Sequence, residues 1–490
     1  MSTHAREASP GSPTVVVGGG VAGLAAAHAL VEAGRRVLLL EASPELGGKL
    51  RTAEVGGVAV DVGAEAMLAR RPEGVALVRA AGLPVVHPAV VSSRLWVRGA
   101  LRPLPRSLMG VPLDPDQLAG TGLLDDAQLA RVRAERDLPP EVVGDDADAT
   151  VGELVDRRFG PAVTDLLVEP LLGGVYAGHA RALSARAAVP QLLTLATRGS
   201  VLAQAPGQQA THEGPVFAGV AGGVGRLPAA LAAGLEATGR AELRTAATVR
   251  ALRRTPEGFA LVVGPTTAEE EVRAAAVVLA VPPAAAARLL REVAPLAADE
   301  VGGVETASVA VVTLAYRAAD ALPLLGEDAS GFLVPPVEGR AVKASTFSYA
   351  KWAWVREAGR GAGPGGEDLV HLRTSLGRHG EETALQADDA ALVRASRDDL
   401  RAATGLDAVP VDTHVQRWGG GLPQYALGHV ARVARARAAV AAVPGLAVCG
   451  AAYDGVGIPA VVASAQRAVR ELEEADATRG GSAGPGTMEP

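Results

Sequence analysis

The hydrophobic pattern changes period twice within the first forty residues. Thr14-Val15-Val16-Val17 is an unbroken β-branched run, as expected of a strand buried on both faces. Residues 24–33 are apolar over a helical length, and 36–40 read as a second strand that ends at Glu41. Further along, 246–253, 259–263 and 277–281 read as strands, and 309–316, 331–334 and 343–348 alternate as strands do. The stretch 86–215 is helix-rich, and Ala149-Thr150-Val151-Gly152-Glu153 reads as a capped helix start. Near the end, 446–449 reads as a strand, followed by a glycine loop and a helix over about 459–472. The apolar stretches 15–31 and 274–290 are broken by the Gly18–Gly20 triplet and by Pro282-Pro283, so no transmembrane helix and no signal peptide is expected.

The first strand–turn–helix–strand unit carries chemistry. Gly18-Gly19-Gly20-Val21-Ala22-Gly23 fills the first turn with a GxGxxG pattern, and Glu41 stands at the end of the second strand. Gly18 permits the tight turn, Gly20 lets a pyrophosphate approach the backbone, and Gly23 lets the helix pack close to the strand. The helix N-terminus offers free N–H groups to the phosphates. Glu41 can accept hydrogen bonds from a ribose diol. A second glycine doublet follows in Gly47-Gly48-Lys49-Leu50-Arg51-Thr52, and then Asp61-Val62-Gly63-Ala64. A nicotinamide fold has no need of this second cradle, whereas a flavin dinucleotide does, so FAD is the cofactor expected.

Composition narrows the class. The 490 residues carry a formal net charge of −7 and show no basic block, which argues against nucleic acid. The length calls for more than one domain. Positive charge is nearly all arginine, with lysine only at 49, 343 and 351. The single cysteine, Cys449, excludes an internal disulfide and reads as an inert core thiol. No histidine spacing suggests a metal site, and none is expected.

The ordered set resembles the flavin amine oxidase superfamily, and within it the porphyrinogen oxidase family. The residues that carry this are Glu169-Pro170-Leu171-Leu172-Gly173-Gly174-Val175-Tyr176-Ala177-Gly178, Leu101-Arg102-Pro103-Leu104-Pro105 with Met109-Gly110-Val111-Pro112, and Trp418. Leu422-Pro423-Gln424-Tyr425, Gly428-His429 and the run Gly450-Ala451-Ala452-Tyr453-Asp454-Gly455-Val456-Gly457-Ile458-Pro459 complete the match, which spans about 13–473. The resemblance implies an α/β fold: a Rossmann-like FAD-binding domain, discontinuous in sequence, with a mixed α+β substrate domain and a helical insert. The expected pieces are 13–85, 216–290 and 408–473 for the FAD domain, 86–215 for the insert and 291–407 for the substrate domain. Disordered tails are expected at 1–12 and 474–490.

The resemblance also implies oxidation of a porphyrinogen by noncovalent FAD with dioxygen as acceptor, coproporphyrinogen III leading and protoporphyrinogen IX as the alternative. An amine oxidase or desaturase, or a non-catalytic flavoprotein, are more distant readings. The chemistry is carried by the flavin, and no general base is assigned. The cofactor set carried over is Gly18, Gly19, Gly20, Val21, Ala22, Gly23, Glu41, Ala42, Gly48, Lys49, Gly63, Ala64, Glu65, Ala66, Val249, Trp418, Val456, Gly457 and Ile458. For the substrate, Arg71 matches a basic position where many relatives have lysine, and Lys343 is a weaker candidate for a propionate. Leu172 and Tyr176 either line the slot or pack in the core. A cytoplasmic location is expected, with a ferrochelatase as a candidate partner. A peripheral membrane contact would sit in the 86–215 insert, though no basic amphipathic helix stands out there.

Overall fold

The computed structural model describes residues 12–142, 148–205 and 214–481. Its first layer is a parallel five-stranded sheet in the order Ala241–Arg244, Val37–Leu40, Thr14–Val17, Ala276–Leu279, Leu446–Val448. The valine run is continuous because both faces are covered. Val16, Leu39 and Val278 bury against the helices Val21–Glu32, Leu227–Ala237 and Ile458–Gly481. Val15, Val17, Leu38 and Leu40 bury on the other side, against Pro283–Leu290, His429–Ala441 and a small antiparallel sheet. That small sheet takes Val249–Thr255, Gly258–Val263 and Glu270–Ala274, so of the strands expected between 246 and 281 only the last joins the parallel sheet.

The second layer is a seven-stranded sheet in the order Asp412–Pro423, Thr306–Arg317, Leu369–Leu376, Val342–Thr346, Gly331–Leu333, Arg94–Val97, Ala100–Pro103. Two of these strands depart from the expected boundaries. Asp412–Pro423 lies in the 408–473 piece, yet it pairs with Thr306–Arg317 and not with the parallel sheet. Its glycine-rich end, Gly419-Gly420-Gly421, hides the strand pattern. The hairpin 94–103 opens the nominally helical insert, and it joins the sheet through a parallel pair, Phe332 with Arg94 and Leu333 with Leu95.

The remainder of the insert is helical around one core that includes Leu154, Val155, Phe159, Leu172 and Tyr176. The cap expected at 150 is present in full. Thr150 Oγ1 accepts from the Glu153 N–H at 3.1 Å, and Glu153 accepts from the Thr150 N–H at 3.4 Å. The last helix does not stop at 472: it runs Ile458–Gly481, so the described part of the expected 474–490 tail is helical. Glu, Leu and Ala continue the helix well, and Asp476 is tied to Arg35 at 2.6 Å. The remaining tail residues lie outside those described.

Candidate functional site

The two glycine turns of the sequence lie side by side. Gly47 N–H donates to the Gly19 carbonyl at 2.8 Å, and Gly20 and Gly47 form a parallel bridge. A Cβ on Gly23 would stand 1.8 Å from the Gly18 carbonyl oxygen, which is the close helix–strand approach that the pattern predicts. A Cβ on Gly20 would meet nothing nearer than the Gly48 Cα at 4.0 Å, so the space above it is open on the protein side. Gly20 also caps the helix Val21–Glu32 without a side chain, which leaves the N–H groups of Val21, Ala22 and Gly23 for a ligand. Glu41 accepts from Gly19 N–H at 2.6 Å and from Ser43 N–H at 2.8 Å, with the exposed Ala42 between. The 246–249 segment runs next to it, since Ala247 N–H donates to the Glu41 carbonyl. Val249 is thereby brought to this end of the cradle, itself buried.

The next two segments extend the cradle. Ala64 N–H donates to the Lys49 carbonyl at 3.0 Å, and a Cβ on Gly63 would come within 2.0 Å of that same oxygen and 3.2 Å of the Trp418 ring. Lys49 and Gly48 keep exposed surface. Protein nonetheless crowds the Lys49 side chain on most sides, and this partial loss of water lowers its pKa from the usual lysine value. The 450–458 loop closes the far side: a Cβ on Gly450 would lie 3.8 Å from the Ala22 Cβ, and Val456-Gly457-Ile458 leads into the last helix.

Arg373, which no local pattern singled out, holds this loop in place. It donates to the carbonyls of Asp61 at 3.0 Å and Gly63 at 2.7 Å, and pairs with Glu65 at 3.4 Å. Glu65 is buried and also takes Lys351 Nζ at 2.6 Å. Burial alone would raise its pKa, but Arg373 and Lys351 more than offset that and hold it at about 2. The Asp61 carboxylate accepts from Val224 and Gly225 N–H at 2.9 and 2.8 Å. Its burial outweighs these bonds and raises its pKa to about 6. Ala66 packs against a separate small core around Val55, Val60 and Trp352.

Opposite the cradle stands one face of the seven-stranded sheet. Cross-strand pairing lines up Gln416, Val311, Ser375, Ala344 and Leu333 in one row, all half-exposed although most stand in interior strands. Their alternates Val312, Thr374, Ser345 and Phe332 are buried on the other face. Half-exposed residues in the middle of a sheet face a cavity, and this row is uncharged. Trp418 continues it, pairing with Val309, and reaches the Gly63 turn. At the other end, Leu333 Cδ2 lies 3.9 Å from a Cβ placed on Gly174 of the helix Glu169–Tyr176. The result is a slot bounded by glycine loops, sheet and helix.

The whole chain aligns with known proteins on this geometry. The family model described as flavin containing amine oxidoreductase matches residues 21–472. The chain belongs to that family. It is 38% identical over 473 residues to a protein of Mycobacterium tuberculosis named coproporphyrinogen III oxidase, covering 94% of this chain and 97% of the relative. It is 31% identical over 495 residues to the protoporphyrinogen oxidase of Macaca fascicularis, covering 94% and 98%. A solved structure from Exiguobacterium sp. 255-15, provisionally named a protoporphyrinogen oxidase, superposes with a TM-score of 0.81 at 30% identity, covering 95% of this chain and all of that one. The α/β fold with its Rossmann-like parallel sheet is that of the flavin amine oxidases.

A flavin fits the residues present. The open space over Gly20, the uncapped helix start and the exposed Gly48-Lys49 surface form a cradle that added Cβ atoms would fill. The family's chemistry thus has a place on this chain that the protein's own atoms leave free.

The candidate substrate residues fare unequally. Arg71 caps the helix Pro72–Ala80, half-exposed and paired with Glu73 at 2.9 Å. It stands near the 456–458 loop, because Gly74 packs against Ile458 and Pro459. Leu172 and Tyr176 both turn away from the slot. Leu172 has no exposed surface, and Tyr176 packs against Tyr425 in a tilted pair with ring centroids 5.4 Å apart; burial raises its pKa to about 12. They stand four residues apart and share one helical face. The exposed face of the same helix carries Gly174 and Val175, and that face meets Leu333. Lys343 is also buried. It sits at a β-bulge with its Nζ on the Gly377 carbonyl at 2.8 Å, and burial, with Arg378 adding to it, depresses its pKa to about 7. Among the described residues no cluster of His, Cys, Asp and Glu could hold a metal ion. No described helix is long and apolar enough to cross a membrane.

Proposed function

We propose that the chain oxidises coproporphyrinogen III to coproporphyrin III, using noncovalent FAD and dioxygen and releasing hydrogen peroxide. The observation that carries this reading is the slot. A broad uncharged wall of Gln416, Val311, Ser375, Ala344 and Leu333 stands opposite a glycine cradle, in a chain aligned almost end to end with enzymes named for porphyrinogens. A porphyrinogen is a broad ring with uncharged faces and its carboxylates at the rim, and such a wall suits it. Bound flavin supplies hydride acceptance and passes electron pairs to dioxygen.

The protein's own part is positional. Backbone N–H groups at 20–23 and 456–458 receive the cofactor. Glu41 and Val249 stand at the end that suits an adenosine, which favours FAD over a mononucleotide. Arg373 fixes the Gly63 turn from behind. Cys449 supports noncovalent binding, because it has no exposed surface and burial pushes its thiol pKa up to about 12. Arg71 and Lys49 are the cations at the slot, and an arginine there can pair bidentately with a propionate. The same shortage of cations favours a second reading, protoporphyrinogen IX, with fewer carboxylates to satisfy. The cytoplasm as site of action and a ferrochelatase as recipient of the photoreactive product complete the proposal.

The deciding experiment is aerobic turnover of coproporphyrinogen III and protoporphyrinogen IX side by side, followed by porphyrin fluorescence and peroxide. Faster turnover of the tetrapropionate is expected. Preference for the divinyl substrate would overturn the choice of substrate, and no porphyrin from either would overturn the activity.

The helix 169–176 gives a sharper test of where the substrate lies. Val175→Trp should narrow the slot and raise KM at least several-fold while flavin content stays unchanged. Leu172→Ala should lower stability by about 2–5 kcal/mol, the usual loss for a buried leucine, with KM unmoved. The reverse pattern would return the slot to the Leu172 face.

A further inference from the structure

One row of the slot-side sheet surface gathers four polar side chains on four adjacent strands. His414, Thr313, Arg373 and Thr346 stand abreast on four strands, since Thr313 pairs with both His414 and Arg373, and Arg373 with Thr346. Residues paired in this way point to one face with Cβ atoms about 5 Å apart. The next row brings Asp412 and His371 alongside Ala315. Four atoms in these rows are buried and have no hydrogen-bond partner among the described residues: His414 Nε2, Thr313 Oγ1, Arg373 Nε and His371 Nδ1. Thr313 and His371 are completely buried. On the opposite face Thr374 Oγ1 bonds to Ser396 Oγ at 2.7 Å, while its cross-strand neighbour Ser345 has a single bare hydroxyl.

Folded proteins rarely leave such atoms bare, and several facing one another are ordinarily met by internal water. The row has an inner and an outer end. Arg373 touches the Asp61 and Gly63 carbonyls and Glu65, with Lys351 behind. His414 stands on the edge strand, beside the exposed Asp412, whose carboxylate accepts from Gly56 N–H at 2.7 Å.

We propose that this row holds a file of internal water that carries protons between the 61–65 loop and solvent at 412–414, an inference that rests on the redox reading above. Each two-electron cycle takes a hydride and a proton from the porphyrinogen. It delivers two electrons and two protons to dioxygen as hydrogen peroxide. The proton leaves the substrate before oxygen needs it, and the wall of Gln416, Val311, Ser375, Ala344 and Leu333 has no titratable group to hold it. The polar row is the adjacent strip of the same sheet face, one pairing step from that wall.

The test is Thr313→Val, which removes one hydroxyl and keeps the shape, with Thr313→Ser as the conservative control. Proton uptake on photoreduction of the flavin-loaded protein is followed with a pH-indicator dye, without any porphyrinogen. Uptake several-fold slower in Thr313→Val and normal in Thr313→Ser is expected, with a Tm lowered by a few degrees. A raised Tm would mean a dry row, and unchanged uptake would mean that no proton passes it; either result overturns the proposal. If Thr313→Val fails to fold, His414→Leu at the sheet edge is measured for proton uptake in the same way. Wild-type protein that takes up protons but turns over no porphyrinogen would sink the proposed activity alone.

Discussion

Glu65→Ala is expected to lower stability by about 3 kcal/mol, because it leaves two partly buried cations, Arg373 and Lys351, without their shared buried counterion. That is a large share of the roughly 5–15 kcal/mol that holds an ordinary domain together. The loss should appear as a fall in Tm and as early release of flavin, since Arg373 carries the Gly63 turn. The acid dependence has a definite sign. The folded-state pKa of Glu65, about 2, lies below its unfolded value of 4.5. The stabilisation is therefore complete above pH 4.5 and drains away as pH falls from there toward 2, by about 3 kcal/mol. In Glu65→Ala that part of the acid transition should vanish. A variant within about 1 kcal/mol of wild type, with the same acid profile, would show that the ion cluster does not hold the loop.

The glycines of the first turn separate folding from binding. Gly20→Ala adds a methyl that meets nothing in the protein closer than 4.0 Å, at a backbone φ of −71° that alanine adopts freely. Stability should hardly change, yet bound flavin should fall to a few per cent or less, because the methyl occupies the place of a phosphate. Gly23→Ala puts its methyl 1.8 Å from a backbone oxygen. The helix must then shift, and stability should fall by at least about 1–3 kcal/mol along with flavin. Flavin content from absorbance and Tm of the flavin-free protein decide the matter. Full flavin retention in Gly20→Ala would remove the phosphates from this turn.

The sequence carried the cradle well because its signals are local. The turn glycines, Glu41 after the second strand and the Thr150–Glu153 cap each concern neighbours a few residues apart, and backbone geometry alone sets them. Trp418 reaches the Gly63 turn, although its strand belongs to the other sheet. What stayed hidden depends on distant pairing. Arg373 reads as one arginine among many until strand pairing sets it beneath Gly63. The helix 169–176 is apolar nearly all round, so its period could not tell the Leu172–Tyr176 face from the Gly174–Val175 face; packing chose. Lys343 illustrates the same limit, because a bulge turned its amine inward to the Gly377 carbonyl.

The scarcity of lysine gives this protein a built-in chemical footprint. Of its three side-chain amines, one is sealed in the sheet at Lys343 and one is engaged by Glu65 at Lys351. Lys49 is the most open of the three, and its open surface lies at the cradle. Among the lysines, amine-directed acylation should therefore mark Lys49 first, and occupancy of the cradle becomes readable as protection of the peptide that carries it.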